Sequence, residues 1–171
     1  VDSTFLMAKS PIMLIINSDE NNKIDQLDID KAKSLLNQNT KVLQIPLKFE
    51  EDLVEIEEKE AKEFRNELQI ENNINIFFES ILNISKSICF LTAGKKECRS
   101  WILKKGLTAV EAAGKIHSDI ARGFVRAEVI HIDEIIKLSS EKEAKDKGII
   151  KREGKNYIIN SGDVINFLFS V

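Results

Sequence analysis

The fold of this chain is decided by residues 88–116, which read ICFLTAGKKECRSWILKKGLTAVEAAGKI. Two segments that read as strands, 88–91 and 98–103, flank the turn sequence at 92–96, which contains a glycine and two lysines. Short strands bounded by such a turn predict a β-hairpin. Gly106 closes the hairpin, and a helical pattern follows it.

The helix after the hairpin has a well-defined start. Thr108 and Glu111 form the Thr-x-x-Glu pattern of a capping box, in which hydroxyl and carboxylate each bond a backbone N–H at a helix start. Small apolar residues then recur at helical spacing and predict a narrow face that lies close on a sheet: Ala109, Ala112, Ala113 and Ile116. Further strands are predicted at 124–130, 157–159 and 164–169. Hairpin, helix and then more strands is the order of a β-grasp, or ubiquitin-like, fold of the α+β class.

Length and charge predict two domains. The chain has 171 residues, enough for one or two small cores on a scale of roughly 100 to 150 residues per domain. Residues 1–86 carry 10 basic and 17 acidic side chains, net −7, and residues 87–171 carry 15 and 11, net +4, which sum to the −3 of the whole chain. We predict a boundary within 83–87, giving domains 1–86 and 87–171. The basic second half suits a ribosomal or nucleic-acid partner.

Several classes are excluded by the composition. No apolar run approaches the roughly 20 residues that span a bilayer, and no secretory signal is recognisable, so we expect a soluble protein with no membrane partner. A turn centred near Lys95 places Cys89 opposite the neighbourhood of Trp101, not opposite Cys98. We therefore expect no disulfide and a reducing, cytoplasmic location. The histidines and cysteines lack zinc spacing, so no metal site is predicted.

The N-terminal part predicts a piece of an α/β sheet. An apolar run at 12–16 predicts a strand, 25–37 a helix, and 42–45 a second strand that Pro46 ends, because proline cannot donate to a ladder. Strand, loop, helix and strand is the unit that builds parallel sheets. Two further helices are predicted, an acidic one at 50–68 and another at 74–84.

The first strand runs directly into Asn17-Ser18-Asp19-Glu20, which resembles an edited form of the guanine-reading loop Asn-Lys-x-Asp of P-loop nucleotidases. Ser18 replaces the lysine and Glu20 the aspartate, although the chain contains no P-loop. The aspartate of Asn-Lys-x-Asp accepts a hydrogen bond from guanine N1–H, whereas adenine N1 carries a lone pair that repels a carboxylate placed there. Changing both the lysine and the aspartate therefore weakens the selection of guanine and favours adenine. The alternative is a strand end that runs into a helix cap, where asparagine, serine and aspartate are common.

Two further groups of residues have competing interpretations. His117 and Asp119 form an acid–base pair in one, and cap a helix end and a turn in the other. A set of aromatic side chains forms a stacking platform for bases in one interpretation and packs in the core in the other: Trp101, Phe124, Phe167 and Phe169.

Five runs resemble one family closely: FLTAGKKECRSW at 90–101, AAGKIHSD at 112–119, GFVRAEVI at 123–130, GKNYI at 154–158 and GDVINF at 162–167. They look like the TGS domain of the YchF, or Obg-like, ATPases, and the resemblance covers residues 10–171. It implies an incomplete P-loop nucleotidase sheet with helices, followed by a β-grasp TGS domain.

The same resemblance assigns residues to a nucleotide site. The family carries Asn-x-x-Glu in place of Asn-Lys-x-Asp and is associated with binding ATP as well as or better than GTP, so the resemblance implies a preference for ATP here. It implies that Asn17, Ser18 and Glu20 contact the purine base, Ser18 through its backbone carbonyl. The final nucleotide loop maps to 44–50, where Pro46-Leu47-Lys48 departs from the family's small residue, alanine and lysine.

A parent of this family is a nucleoside-triphosphate hydrolase that uses ATP or GTP with magnesium. Its phosphate loop, magnesium ligand and water-positioning region would lie upstream of Val1, so the chain looks cut from a longer one. We expect no catalytic residue in these 171 residues and no tightly bound cofactor. Half a parallel sheet exposes a strand edge, which predicts self-association through residues 1–50.

The resemblance implies that the TGS domain is an interaction module of a ribosome-associated protein and binds the ribosome or RNA. We expect phosphate contacts from a group of basic side chains: Lys95, Lys96, Arg99, Lys104, Lys105, Lys115, Arg122 and Arg126. The competing interpretation of these charges is a solubilising surface. The alternative function is a stand-alone TGS-type module that binds RNA or protein and has no nucleotide role.

Overall fold

The computed structural model describes residues 11–19, 24–36, 40–94, 97–138, 143–144 and 147–170. They fall into two compact units, one that ends at Ser85 and one that begins at Lys86. Within the described residues, no helix has the length and apolar character needed to cross a membrane.

The first unit is built on a two-stranded parallel sheet. Strand β1 (Met13–Asn17) pairs with β2 (Lys41–Ile45) in the register Met13 to Lys41 through Asn17 to Ile45, and helix α1 (Gln26–Leu36) connects them. This confirms the predicted strand, helix and strand. Three helices follow: α2 (Leu47–Val54), α3 (Glu58–Glu67) and α4 (Asn73–Ile84).

The acidic stretch 50–68 differs from its prediction, because it forms parts of two helices and not one. Helix α2 closes at Glu55, whose N–H donates to the Asp52 carbonyl at 3.3 Å, and Glu57 is extended with φ −64° and ψ 144° before α3 begins. In one straight helix Glu50 and Arg65 would lie about 22 Å apart, at 1.5 Å of rise per residue. The break lets α3 turn back so that their side chains meet.

The second unit is a five-stranded mixed sheet with helices. In chain order its elements are β3 (Ser87–Ala93), β4 (Cys98–Lys104), α5 (Ala109–Ile116), α6 (Ser118–Arg122), β5 (Phe124–His131), α7 (Ile132–Lys137), β6 (Lys151–Glu153) and β7 (Asp163–Phe169). The strand order is β4-β3-β7-β5-β6, in which only β3 and β7 run parallel. The chain's last strand therefore lies in the centre of the sheet.

The predicted hairpin is confirmed, and its register explains the two thiols. Phe90 lies opposite Trp101, and Cys89 lies opposite Ile102, one residue from the predicted neighbour. Cys98 instead pairs with Ala93 at the turn. Both cysteines are free.

Helix α5 packs on the sheet through the predicted small-residue face, because Ala109, Ala112 and Ala113 are all fully buried. The capping box is present: the Thr108 N–H donates to Glu111 Oε2 at 2.8 Å, and the Thr108 hydroxyl donates to the same oxygen at 2.6 Å. Hydrogen bonds from Thr108 hold the pKa of the Glu111 carboxyl below its usual value. The local sequence therefore fixes where this helix begins.

The strand predicted at 157–159 is wrong, since only Ile158 makes a bridge, to Thr108. The segment's hydrogen bonds go to the start of α5 and not to the sheet. The Tyr157 carbonyl accepts from the Ala109 N–H at 2.8 Å, and the Ile159 N–H donates to the Leu107 carbonyl at 3.1 Å. Ile159 is consequently buried in the core beneath α5.

Candidate functional site

The predicted base-recognition loop lies where β1 and β2 end side by side. Asn17 Oδ1 accepts a hydrogen bond from the Leu47 N–H at 3.2 Å, and the Ser18 N–H donates to the Ile45 carbonyl at 3.3 Å. These bonds tie the end of β1 to the end of β2 and to the first residue of α2. Only Pro46 separates β2 from α2, so the prediction of a loop at 44–50 is wrong: the stretch is the end of a strand, one linking residue and the start of a helix. Ligands of open α/β sheets bind at the carboxyl ends of the strands, and Asn17, Ser18 and Leu47 lie at that end.

Gln44, which the sequence analysis did not single out, holds this loop through its side-chain amide. Gln44 Nε2 donates to the Ser18 hydroxyl at 2.9 Å, and Gln44 Oε1 accepts from the Ile24 N–H at 3.0 Å. The side-chain amide thus links a residue within the tetrad to the backbone that follows it. Glu20, the third predicted base contact, lies outside the described residues. Asp19 is exposed.

Lys48, which the resemblance aligns with the lysine of the final nucleotide loop, is engaged by its own helix. Its ammonium lies 2.9 Å from Asp52 Oδ1 and 3.1 Å from Glu51 Oε2. Hydrogen bonds to Asp52 and Glu51 raise the pKa of the Lys48 ammonium above its usual value. The side chain is solvent-exposed, so these pairs orient it weakly.

A buried charge cluster begins two residues further along α2, at Glu50, and the sequence analysis did not foresee it. Glu50 is 4% exposed and accepts from Arg65 Nη1 at 2.8 Å and from Asn73 Nδ2 at 3.0 Å. Burial raises the pKa of the Glu50 carboxyl, but the hydrogen bonds from Arg65 and Asn73 and the Arg65 charge outweigh it, so the pKa lies below its usual value. The cluster joins α2, α3 and the start of α4.

The described members of the predicted basic group lie on different elements of the second unit. Arg99 lies on the same face of β4 as Trp101 and Leu103, the face that packs against α5. Lys104 lies on the opposite face. Arg126 lies on β5, which two strands separate from β4, so their backbones are about 14 Å apart at 4.8 Å per strand. The group is therefore distributed, not gathered into one cluster.

The remaining members of that group are on helices, in a turn or undescribed. Lys115 and Arg122 are exposed on α5 and α6, and Arg122 Nη2 pairs with Asp119 Oδ1 at 2.9 Å. Lys105 follows β4, and its N–H donates to the Lys86 carbonyl at 2.9 Å. Lys95 and Lys96 lie outside the described residues.

Each histidine is the capping residue that precedes a helix. His117 Nδ1 accepts from the Asp119 N–H at 3.2 Å at the start of α6, and His131 Nδ1 accepts from the Asp133 N–H at 3.3 Å at the start of α7. These capping bonds favour the structural interpretation of His117 over an acid–base pair. No group of three or more potential ligand side chains in the described part of the chain could hold a metal ion.

The predicted aromatic group separates into core and surface residues. Phe124 and Phe167 are buried and pack edge to face, with ring centroids 6.1 Å apart. Phe169 is 46% exposed. Trp101 is half-buried, and its Nε1–H donates to the Thr92 hydroxyl at 3.0 Å. Of the four residues, Trp101 thus combines a fixed ring with partial access to solvent.

Comparison with known proteins gives consistent matches. Residues 88–170 match the family model YchF-GTPase_C, described as a protein of unknown function (DUF933). Over 181 aligned residues, the chain is 35% identical to the Ribosome-binding ATPase YchF of Mycoplasma genitalium, with all of this chain and 48% of that protein covered. The protein of the same name from Buchnera aphidicola subsp. Schizaphis graminum is 39% identical, with 98% of this chain and 46% of that protein covered.

Solved structures agree with this. The YchF GTPase of Schizosaccharomyces pombe superposes with a TM-score of 0.74 at 27% identity, covering 92% of this chain and 43% of that one. A GTP binding protein from Pyrococcus horikoshii OT3 superposes with a TM-score of 0.59 at 14% identity, covering 94% and 46%, and supports the fold alone. The chain spans about half the length of the curated relatives it matches.

Proposed function

Since this chain is homologous to the Ribosome-binding ATPase YchF along its whole length and carries the YchF-GTPase_C domain at residues 88–170, we propose that it works as the C-terminal portion of such an ATPase. In this proposal the first unit supplies base-reading contacts to a purine nucleotide, and the second unit binds the ribosome. The observation that carries it is the hydrogen bonding of Asn17 to Leu47 and of Ser18 to Ile45, at the carboxyl end of the parallel strands.

The nucleotide part of the proposal rests on Asn17 and Ser18. Because the Asn17 carbonyl oxygen accepts from Leu47, its amide NH₂ is the group that faces a ligand as a donor, and N7 of a purine is an acceptor. Gln44 holds the Ser18 hydroxyl, which leaves the serine carbonyl to contact the base. With Glu20 completing the set, we propose a preference for ATP over GTP, and magnesium and triphosphate contacts from the rest of the ATPase.

We expect the 171-residue chain to bind ATP only weakly, with a dissociation constant of about 1 mM or above, equivalent to roughly −4 kcal/mol. The Gly-rich loop that cradles phosphates is not among these residues, so base contacts alone contribute. Isothermal titration with ATP, GTP and adenosine measures this. Asn17→Ala is the matched variant and removes the residual binding. Micromolar affinity for ATP would contradict the prediction.

For the second unit we propose a TGS-type β-grasp domain that docks on the ribosome. The hairpin, the close-packed helix α5 and the central position of β7 support that fold. The net charge of +4 over residues 87–171 supports attraction to a polyanion. We propose that the basic group on and beside β4 makes the phosphate contacts. Self-association through the β1–β2 edges stays a prediction, and light scattering at high concentration tests it.

Co-sedimentation with purified ribosomes on sucrose gradients, at low and raised salt, tests the docking role. We expect binding that falls with salt, because neutralised phosphates release counterions. Replacing Lys95, Lys96, Lys104 and Lys105 by glutamine should abolish it. The control replaces Lys33, Lys41, Lys59 and Lys62 of the first unit, which changes the net charge equally and should preserve binding.

Equal loss of ribosome binding in both quadruple variants would mean that total charge matters and not the hairpin. Absence of ribosome binding at any salt would overturn the docking role of the second unit. Ribosome binding by the second unit in a chain that binds neither ATP nor GTP would favour the alternative, a binding module without a nucleotide role.

A further inference from the structure

A cavity of about 340 Å³ lies in the second unit between the tip of the β3–β4 hairpin and helices α5 and α6. We call it the hairpin pocket. Six side chains define its walls: Glu97, Arg99, Trp101, Ile116, Ile120 and Phe167. Nothing in the match to the family model or in the relatives' names assigns it a ligand.

The pocket exists because β7 extends further than its neighbour β3 at one end of the sheet. Strands β3 and β7 are paired in parallel at Leu91 and Val164, but β3 turns back after Ala93 while β7 continues to Phe169. The Gly94 N–H donates to the Glu97 carbonyl at 2.9 Å and closes the turn. The sheet therefore has a step at this end, and Phe167 lies at its floor beside the hairpin tip.

The walls combine a flat apolar surface with one cation and one anion. The Trp101 ring is held by its bond to the Thr92 hydroxyl, and the half-buried side chains of Ile116 and Ile120 also line the pocket. The Arg99 guanidinium lies 6.0 Å from the centroid of the Trp101 ring, and its Nε is 3.3 Å from Glu97 Oε2. Arg99 and Glu97 are both exposed at the mouth of the pocket.

We propose that the hairpin pocket receives one unpaired base of single-stranded RNA, with Arg99 contacting the adjacent phosphate. This inference rests on the proposed ribosome docking of the second unit and names its partner. A base presents a planar π-face that stacks on tryptophan, and such stacking is largely independent of sequence. Cytosine, adenine and guanine also carry amino groups that donate to a carboxylate such as Glu97.

The lining favours RNA over an acidic peptide. Glu97 repels carboxylates but accepts hydrogen bonds from base amines, and the Arg99 fork matches a phosphate. A cavity of this size with an aromatic wall beside a cation also suits a base joined to its phosphate better than an extended chain of charged side chains. RNA therefore satisfies the apolar wall, the anion and the cation together.

Trp101 is the chain's one tryptophan, so its fluorescence reports on this pocket. The 171-residue chain is titrated at low salt with a single-stranded hexanucleotide RNA of mixed sequence. We expect saturable quenching of the Trp101 emission. Arg99→Gln should weaken the binding about tenfold, which corresponds to roughly 1.4 kcal/mol. The matched control is Arg152→Gln on β6 at the far edge of the sheet, which removes the same charge and should leave binding within about twofold.

Three results would overturn the pocket assignment: no saturable quenching by the hexanucleotide, equal weakening by Arg99→Gln and Arg152→Gln, or equal quenching by a hexaglutamate peptide. Ile120→Phe narrows the cavity without altering charge and keeps Trp101 as the one tryptophan; it should also reduce RNA affinity, with circular dichroism verifying its fold. Ribosome co-sedimentation is measured in parallel. Ribosome binding without hexanucleotide quenching would reject the base pocket and retain the docking role, whereas loss of both would reject both.

Discussion

Glu50→Ala lowers the free energy of unfolding of the first unit by about 3–5 kcal/mol, because it leaves the Arg65 guanidinium without its buried partner. Arg65 has only 15% of its side chain exposed and binds Glu50 through both terminal nitrogens. Asn73 Nδ2 also loses its acceptor. Glu50 joins three helices of a small unit. We therefore expect the first unit of the variant to be unfolded at temperatures at which the first unit of the parent is still folded.

Circular dichroism at 222 nm follows this unfolding in urea, because the one tryptophan and the one tyrosine both lie in the second unit. Trp101 fluorescence provides the internal control, because it reports on the second unit. The urea concentration at which the second unit unfolds should be the same in Glu50→Ala and in the parent. Glu51→Ala is the matched variant: the residue is adjacent and of the same type, but its side chain is exposed, and we expect a change within about 0.5 kcal/mol.

The double variant Glu50→Leu with Arg65→Met should recover much of the loss, since it removes both charges and fills a similar volume. A double variant as unstable as Glu50→Ala would show that packing, and not the unpaired charge, is responsible. Glu50→Ala within 1 kcal/mol of the parent would contradict the prediction.

The same cluster predicts a pH dependence. The pKa of Glu50 in the folded unit lies below the ordinary value of 4.5, so the unfolded chain takes up the proton first as the pH falls. The stabilisation from the ionised carboxyl is therefore complete above about pH 4.5 and is lost as the pH falls through the folded pKa. The difference in stability between the parent and Glu50→Gln should narrow over that acidic range.

Phe90→Ala lowers the free energy of unfolding of the second unit by about 3–5 kcal/mol, the range for removing a buried phenylalanine side chain. Phe90 has 0% exposure and packs edge to face on Phe167 with ring centroids 6.4 Å apart. It lies on β3, between β4 and β7, where surrounding strands on both sides limit collapse of the resulting cavity.

Urea unfolding monitored by Trp101 fluorescence measures the loss, because Trp101 lies opposite Phe90 in the hairpin. Phe169→Ala is the control, as the same side chain is removed from the exposed end of β7; we expect a loss of about 1 kcal/mol or less. Similar losses at both positions would contradict the central role of Phe90.

The parts of the fold that the sequence predicted are those whose cause lies within a few residues. Thr108 and Glu111 are three apart, and their bonds define the start of α5. The turn at 92–96 sets the hairpin register to within one residue. The loop at Asn17 and Ser18 was likewise predicted, because its polar residues directly follow an apolar strand and precede a helix.

The wrong predictions of a helix at 50–68 and of a strand at 157–159 have the same cause. Pattern reasoning takes 50–68 as one helix because its apolar spacing continues through Glu55, and it takes 157–159 as a strand because the three residues favour one. In the structure, distant partners decide: Arg65 turns back to Glu50, and Tyr157 and Ile159 bond to the start of α5. The Gln44 amide reaches Ser18 across 26 residues, which no local pattern reveals.

The sequence by itself determined the two-part organisation, the hairpin, the capped helix, the loop after β1 and the likeness to the YchF ATPases, since each depends on residues close together in the chain. Only the tertiary structure decided which charges are buried, how the basic residues are distributed and where the hairpin pocket opens. The distribution of the basic residues and the position of the pocket depend on the strand order of the second unit. Strand β7 comes last in the chain yet lies between β3 and β5, and the part of β7 that extends beyond β3 creates the pocket. Burial of Glu50 and exposure of Arg99 follow in the same way from contacts between segments that are distant in sequence.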